Sequence, residues 1–94
     1  MNHIFEIKDK SGRKIRLTKT QWRHIKHKHP DVNEDFIGET LQNPIKILIE
    51  ENNVAIYYRY FKNKIPSPYL KVMIKYLNGE GYVITAYFVK NMLQ

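Results

Sequence analysis

The sequence predicts an α+β fold, a short N-terminal β-hairpin and two helices packed on one face of a four-stranded antiparallel sheet. Three observations predict it. Ile4 to Lys8 and Arg13 to Leu17 alternate apolar and polar residues around a polar turn. Trp22, Ile25 and His29 recur near one stripe at helical spacing, bounded by Thr18 and Pro30. From Ile45 onward, runs rich in β-branched and aromatic residues are separated by Asn, Gly and Pro. Residues 1–94 read as a single domain with one modest core.

Each element has a local reason. Asp9, Lys10, Ser11 and Gly12 supply the hairpin turn. Thr18 followed by Gln21 matches a capping box, in which each side chain satisfies an amide that the helix start leaves unpaired. Lys26 and Lys28 sit late in that helix, where cations suit its dipole. Pro30 ends it, having no amide to donate. Asn33 can cap a second short helix that buries Phe36, Ile37 and Leu41 and stops at Asn43-Pro44. The strands read as Ile45 to Ile49, Val54 to Phe61, Tyr69 to Leu77 and Tyr82 to Lys90. Glu51, Asn52 and Asn53 form a turn, and Lys62 to Pro68, with two prolines, forms a loop.

The last hairpin carries its own register signal. Leu70, Val72, Ile74 and Tyr76 form one face of the first strand; Tyr82, Ile84, Ala86 and Phe88 form the more apolar face of the second. A three-residue loop, Gly79 to Gly81 with Gly81 in the left-handed region, aligns the two sets, whereas one step of slip would oppose them. That register sets Lys75 opposite Thr85 and Met73 opposite Tyr87. The other sheet face then carries Tyr57, Arg59, Lys71, Lys75, Thr85 and Tyr87, a surface suited to phosphates and bases.

Charge points the same way. Sixteen Lys and Arg against nine acids give +7, spread along the chain, and a folded domain displays such an excess on its surface. A polyanion, RNA foremost, is the expected partner; an anionic membrane or an acidic protein is the rival. There is no cysteine, which removes disulfide and thiolate chemistry and fits a cytoplasmic protein. No apolar run is long enough for a membrane helix, and the N-terminus shows no signal-peptide pattern.

The candidate chemistry lies in two groups. His24, His27 and His29 cluster late in the first helix. An imidazole both accepts and donates a proton near neutral pH. His29 shares the stripe of Trp22 and Ile25 and reads either as a proton-transfer group or as a partly buried end of the helix. His24 points elsewhere, so the two act together only if the helix end bends over the sheet rim. Zinc held by His24, His27 and Asp31 is a further option, although the general base of a zinc-protease motif is missing. Arg59 and Lys75 interrupt apolar strands and must face solvent, an acid or a ligand. Arginine forks onto phosphate oxygens, and Thr85 and Tyr87 offer hydroxyls and a ring for stacking. Each of these also has an ordinary role in a soluble sheet face.

Two stretches resemble a known family. Trp22-Arg23-His24-Ile25 followed by His29-Pro30-Asp31 is similar to the W-x-H-I…H-P-E signature of small phage- and toxin-associated nuclease-like domains. These belong to the grouping named after barnase, EndoU, colicins E5 and D, and RelE. Ile56 to Arg59, Lys71 to Lys75 and Val83 to Phe88 resemble the same family, so the likeness runs from about Leu17 to Val89. Asp31 stands where Glu is usual, and Val89 where a hydroxyl residue is frequent. The resemblance implies a metal-independent endoribonuclease needing no cofactor, with His24, His29, Arg59, Lys75, Thr85 and Tyr87 as its site. The cut would proceed by attack of the 2′-hydroxyl, leaving a 2′,3′-cyclic phosphate. Expected partners are tRNA or mRNA, with an acidic antitoxin or immunity protein as inhibitor, and no membrane. The alternatives are a non-catalytic nucleic-acid-binding module and a protein-interaction domain that pairs through an edge such as Ile45 to Ile49.

Overall fold

The fold is that of a computed structural model, which describes residues 3–93. The last hairpin turns on Asn78 and Gly79, at φ 53° and 82°. Two successive left-handed residues make the two-residue turn whose twist matches a hairpin, so the expected three-residue loop is corrected. β5 (Tyr69–Leu77) and β6 (Glu80–Val89) pair from Leu77–Glu80 through Lys75–Tyr82 and Ile74–Val83, then step to Met73–Thr85 and Lys71–Tyr87. The step leaves Ile84 as the extra residue of a β-bulge. The bulge is what lets Val83 before it and Ala86 after it both enter the core. A sequence pattern read as one uninterrupted strand places them on opposite faces, which is why the expected pairs Lys75–Thr85 and Met73–Tyr87 do not form.

The four expected strands are present and antiparallel: β6, β5, β4 (Val54–Tyr60) and β3 (Lys46–Ile49). The sheet nevertheless has six strands, not four. β1 (His3–Lys8) and β2 (Lys14–Thr18) join it in the order β1-β2-β6-β5-β4-β3. β2 runs parallel to β6 over two pairs, Ile15–Gly81 and Arg16–Tyr82. Gly81 makes this approach possible without a left-handed conformation. A Cβ there would lie 2.9 Å from Ile15 Cδ1 and 3.0 Å from the Lys75 carbonyl oxygen. Arg16 ties the junction from the side: its Nε donates to Glu6 at 2.8 Å and its Nη2 to Glu80 at 2.6 Å.

The helices follow from their caps. α1 (Lys19–Lys28) starts where Thr18 Oγ1 accepts from the Gln21 amide at 3.1 Å. Only half of the capping box forms, because Gln21 Nε2 donates to the Ile84 carbonyl at 2.6 Å. α1 thereby satisfies the edge of β6 at the bulge, beyond the point where β2 diverges. α2 (Glu34–Gln42) is capped by Asn33 Oδ1 on the Phe36 amide and carries Glu34 and Asp35 in its first turn, as the dipole favours. Both helices pack on one sheet face, where Ile25, Ile37 and Leu41 meet Ile15, Leu17, Tyr57 and Val72. A second, smaller cluster of Ile56, Tyr58 and Val89 lies on the opposite face with Tyr69, Met73 and Tyr87.

One buried polar network anchors the N-terminal hairpin to this core. Asp9 Oδ1 accepts from the amides of Ser11 and Arg13, each at 2.9 Å, and from Ser11 Oγ. Asp9 Oδ2 accepts from the Tyr57 hydroxyl. A carboxylate only accepts, so Tyr57 spends its proton there and the Tyr76 hydroxyl, 2.7 Å away, donates to Tyr57. Arg13 lies over the Tyr76 ring, 3.8 Å from its centre. Burial, joined by these hydrogen bonds, pushes the Tyr57 phenol far above the ordinary tyrosine range.

Three outcomes follow from this packing. Gly81→Ala lowers stability by about 1–3 kcal/mol, because the Lys75 carbonyl cannot yield. Gly38→Ala in α2 raises it by about 0.5–1 kcal/mol, since the new methyl meets only Ile7 Cδ1 at 3.8 Å. Both are read by urea unfolding. Tyr57→Phe costs roughly 1.5–3 kcal/mol near neutral pH, the range for a hydrogen bond to a charged group. The raised folded pKa gives that contribution its pH dependence. It is complete below the unfolded tyrosine value of about 10 and fades as pH rises beyond it. The stability gap between wild type and Tyr57→Phe therefore narrows above about pH 10; a gap independent of pH would count against this reading of the network.

Candidate nucleic-acid interface

Strand pairing assembles a row across the face opposite the helices. Lys46 of β3 lies opposite Tyr58 of β4, Tyr58 opposite Lys71 of β5, and Lys71 opposite Tyr87 of β6. Residues paired in this way point to the same side of a sheet. The Lys71 ammonium sits 5.6 Å from the centre of the Tyr87 ring. Lys71 itself is only 8% exposed, so its charge acts in a water-poor setting where electrostatic interactions are strong.

α1 adds the next member of the row. It lies beside β6, and its C-cap residue, His29, reaches past the sheet rim. The His29 imidazole stacks on Tyr87 at 5.2 Å between ring centres and 26° between planes. The backbone there is fixed by the His29 amide donating to the Ile25 carbonyl at 2.7 Å. No described residue hydrogen-bonds the His29 ring nitrogens, so they remain available to a ligand. His29, Tyr87 and Lys71 thus form a half-sheltered imidazole, an aromatic platform and a cation in sequence.

The other expected site residues divide. Thr85, opposite Met73, is the next residue on the same face of β6 and lies one row from Tyr87. Lys75 also faces this side, but four residues along β5 from Lys71, about 13 Å away. Its ammonium donates to the Asn52 carbonyl in the β3–β4 turn. Arg59 is on the opposite face: Nε donates to Glu39 of α2 at 3.2 Å and Nη1 to the Asn43 carbonyl at 2.7 Å. The interruption that made Arg59 conspicuous in sequence is answered by an acid on α2, and Tyr57 is in the core. His24 is exposed on α1 and has no place in the row. Among the described residues, no three of His, Asp and Glu gather as a metal-holding group.

Lys46 and Tyr58 escaped the sequence reading of this face. Their signal was the pairing of β3 with β4, which depends on where the Glu51–Asn53 turn sets the register. The strands β3 to β6 contain a single carboxylate, Glu80, and Arg16 binds it. Glu50 and Glu51 line an open pocket with Val54 and Met73 at the Lys75 end of this face, so its cationic part is the row of Lys46 and Lys71. The remaining acids lie on α2, between the two helices and on the N-terminal hairpin. No described helix is long and apolar enough to cross a membrane.

Comparison with family models, curated proteins and solved structures finds no significant match to this chain.

Proposed function

We propose that this domain is an endoribonuclease whose RNA lies along the sheet face opposite the helices and whose proton-transfer group is His29. The observation that carries the proposal is the stacking of His29 on Tyr87 beside Lys71. It supplies a base, a platform for a nucleobase and a cation for phosphate within one row. In the proposed step, His29 removes the proton from a ribose 2′-hydroxyl, and the 2′-oxygen forms a bond to phosphorus. The bond from phosphorus to the 5′-oxygen breaks, and water protonates the departing oxygen. Lys71 faces the charge that grows on the non-bridging oxygens. Thr85 and Tyr87 position the phosphate and the base. The products are a 2′,3′-cyclic phosphate and a 5′-hydroxyl. The nuclease-like resemblance of the Trp22–Asp31 segment supports the same reading, with Arg59 and His24 removed from the proposed site.

A second reading, RNA binding without cleavage, draws on the fact that, of His24, His27 and His29, only His29 joins this row. One experiment separates the two. Purified protein is incubated with tRNA and mRNA in EDTA, and product ends are analysed. Wild type is expected to yield 2′,3′-cyclic phosphate ends. His29→Ala is expected to slow cleavage by about 100- to 10,000-fold, the usual contribution of a general base. His24→Ala and Arg59→Gln are expected to leave the rate within about twofold. Intact RNA with salt-dependent binding establishes the second reading, and undiminished cleavage by His29→Ala overturns the assignment of the base.

A further inference from the structure

A second basic surface lies on the other side of α1. Ile4, Lys19, Trp22, Arg23, Lys26 and His27 line an open groove of about 490 Å³ between that helix and β1. Trp22 forms an aromatic wall, and the Lys26 ammonium sits 5.5 Å from its ring centre. We infer that this groove is a second nucleic-acid site, which takes one base and its flanking phosphates from a single-stranded RNA. The inference deepens the proposed function and rests on it for the choice of RNA.

Helix stability accounts for only part of the cations in the groove. Lys26 and His27 lie in the last turn, where the dipole favours positive charge. Lys19 is the first residue of α1 and opposes the dipole, and no acid accompanies it in the first turn. None of Lys19, Arg23 and Lys26 pairs with a carboxylate among the described residues. Beyond Ile4, the neighbouring groove is lined by Glu34, Asp35 and Glu39 of α2. A polyanion is therefore drawn to the α1 side and repelled from the α2 side. The indole distinguishes the classes of polyanion: a base stacks on it, worth about 1–3 kcal/mol per base in single-strand binders, whereas an acidic peptide has no flat π-face to offer. His29 caps the same helix, so one strand can pass from this groove to the row at Tyr87.

Trp22 is the only tryptophan in the chain, so its fluorescence reports the groove directly. Hexa-adenylate RNA is titrated into the protein at salt concentrations between 50 and 200 mM. Saturable quenching is expected. The triple variant Lys19→Gln/Arg23→Gln/Lys26→Gln is expected to bind at least about tenfold more weakly at the lowest salt. Its slope of log K against log salt should fall by about 2, from three phosphate contacts at roughly 0.7 each. Circular dichroism and thermal unfolding of the variant, whose changes are all on exposed side chains, verify its fold. His29→Ala is expected to keep full quenching while losing cleavage, so failure of the catalytic reading and failure of this one give different results. Unchanged fluorescence, equal binding by a folded triple variant, or equal quenching by hexa-glutamate would overturn the inference.

Discussion

The position of the N-terminal hairpin depends on one carboxylate. Asp9 gathers two amides and the Ser11 hydroxyl from its own turn, then accepts the Tyr57 hydroxyl from the middle of the sheet. A buried carboxylate is costly unless it is hydrogen-bonded; the turn itself satisfies Asp9 Oδ1, and docking of the hairpin brings the Tyr57 hydroxyl to Oδ2. The Lys10 amide donating to the Leu41 carbonyl fixes the same turn against the end of α2. The docked hairpin sets β2 beside β6, and Gly81 leaves the space that β2 requires. α1 begins directly after β2, so its placement follows from the same contacts. The network lies on the helix side of the sheet, opposite the row of Tyr58, Lys71 and Tyr87, and through β2 it helps to set where α1 and His29 arrive.

That placement links packing to the proposed chemistry. β2 accompanies β6 for only two pairs, and Gln21 of α1 then satisfies the strand at Ile84. The helix packs next to β6, and its C-cap residue His29 stacks on Tyr87. Charge is partitioned on the same plan. α2 holds Glu34, Asp35 and Glu39, while α1 and strands β3 to β5 carry no acid. Arg59 illustrates the partition: it is cationic but faces α2, where Glu39 engages it.

Elements governed by neighbouring residues were legible in sequence. The Thr18 and Asn33 caps, the stop at Pro30, the turn before Val54 and the four antiparallel strands all follow from local patterns. Features set by distant contacts were not. Nothing near Ile15 announces that it will approach Gly81 from the far end of the chain, so a six-stranded sheet read as four strands and a hairpin. The bulge at Ile84 stands against an edge that a helix covers, and without it the apolar alternation demanded the wrong turn. The same limit governs the site. Lys71, Lys75, Thr85 and Tyr87 share a face because strand alternation places them there, whereas Arg59 shares the parity of Tyr57, which is in the core, and so faces α2. His29 was recognisable as the end of an apolar stripe, but its stacking on Tyr87 required the register of β6.

The proposed function depends on where RNA touches the protein. The direct measurement is a titration of isotopically labelled protein with a single-stranded RNA, following each backbone amide by NMR. Tyr58, Lys71, Thr85, Tyr87 and His29 are predicted to shift, while Arg59 and the residues of α2 remain in place. Shifts concentrated on α2 and Arg59, with the row from Tyr58 to His29 unmoved, would contradict it.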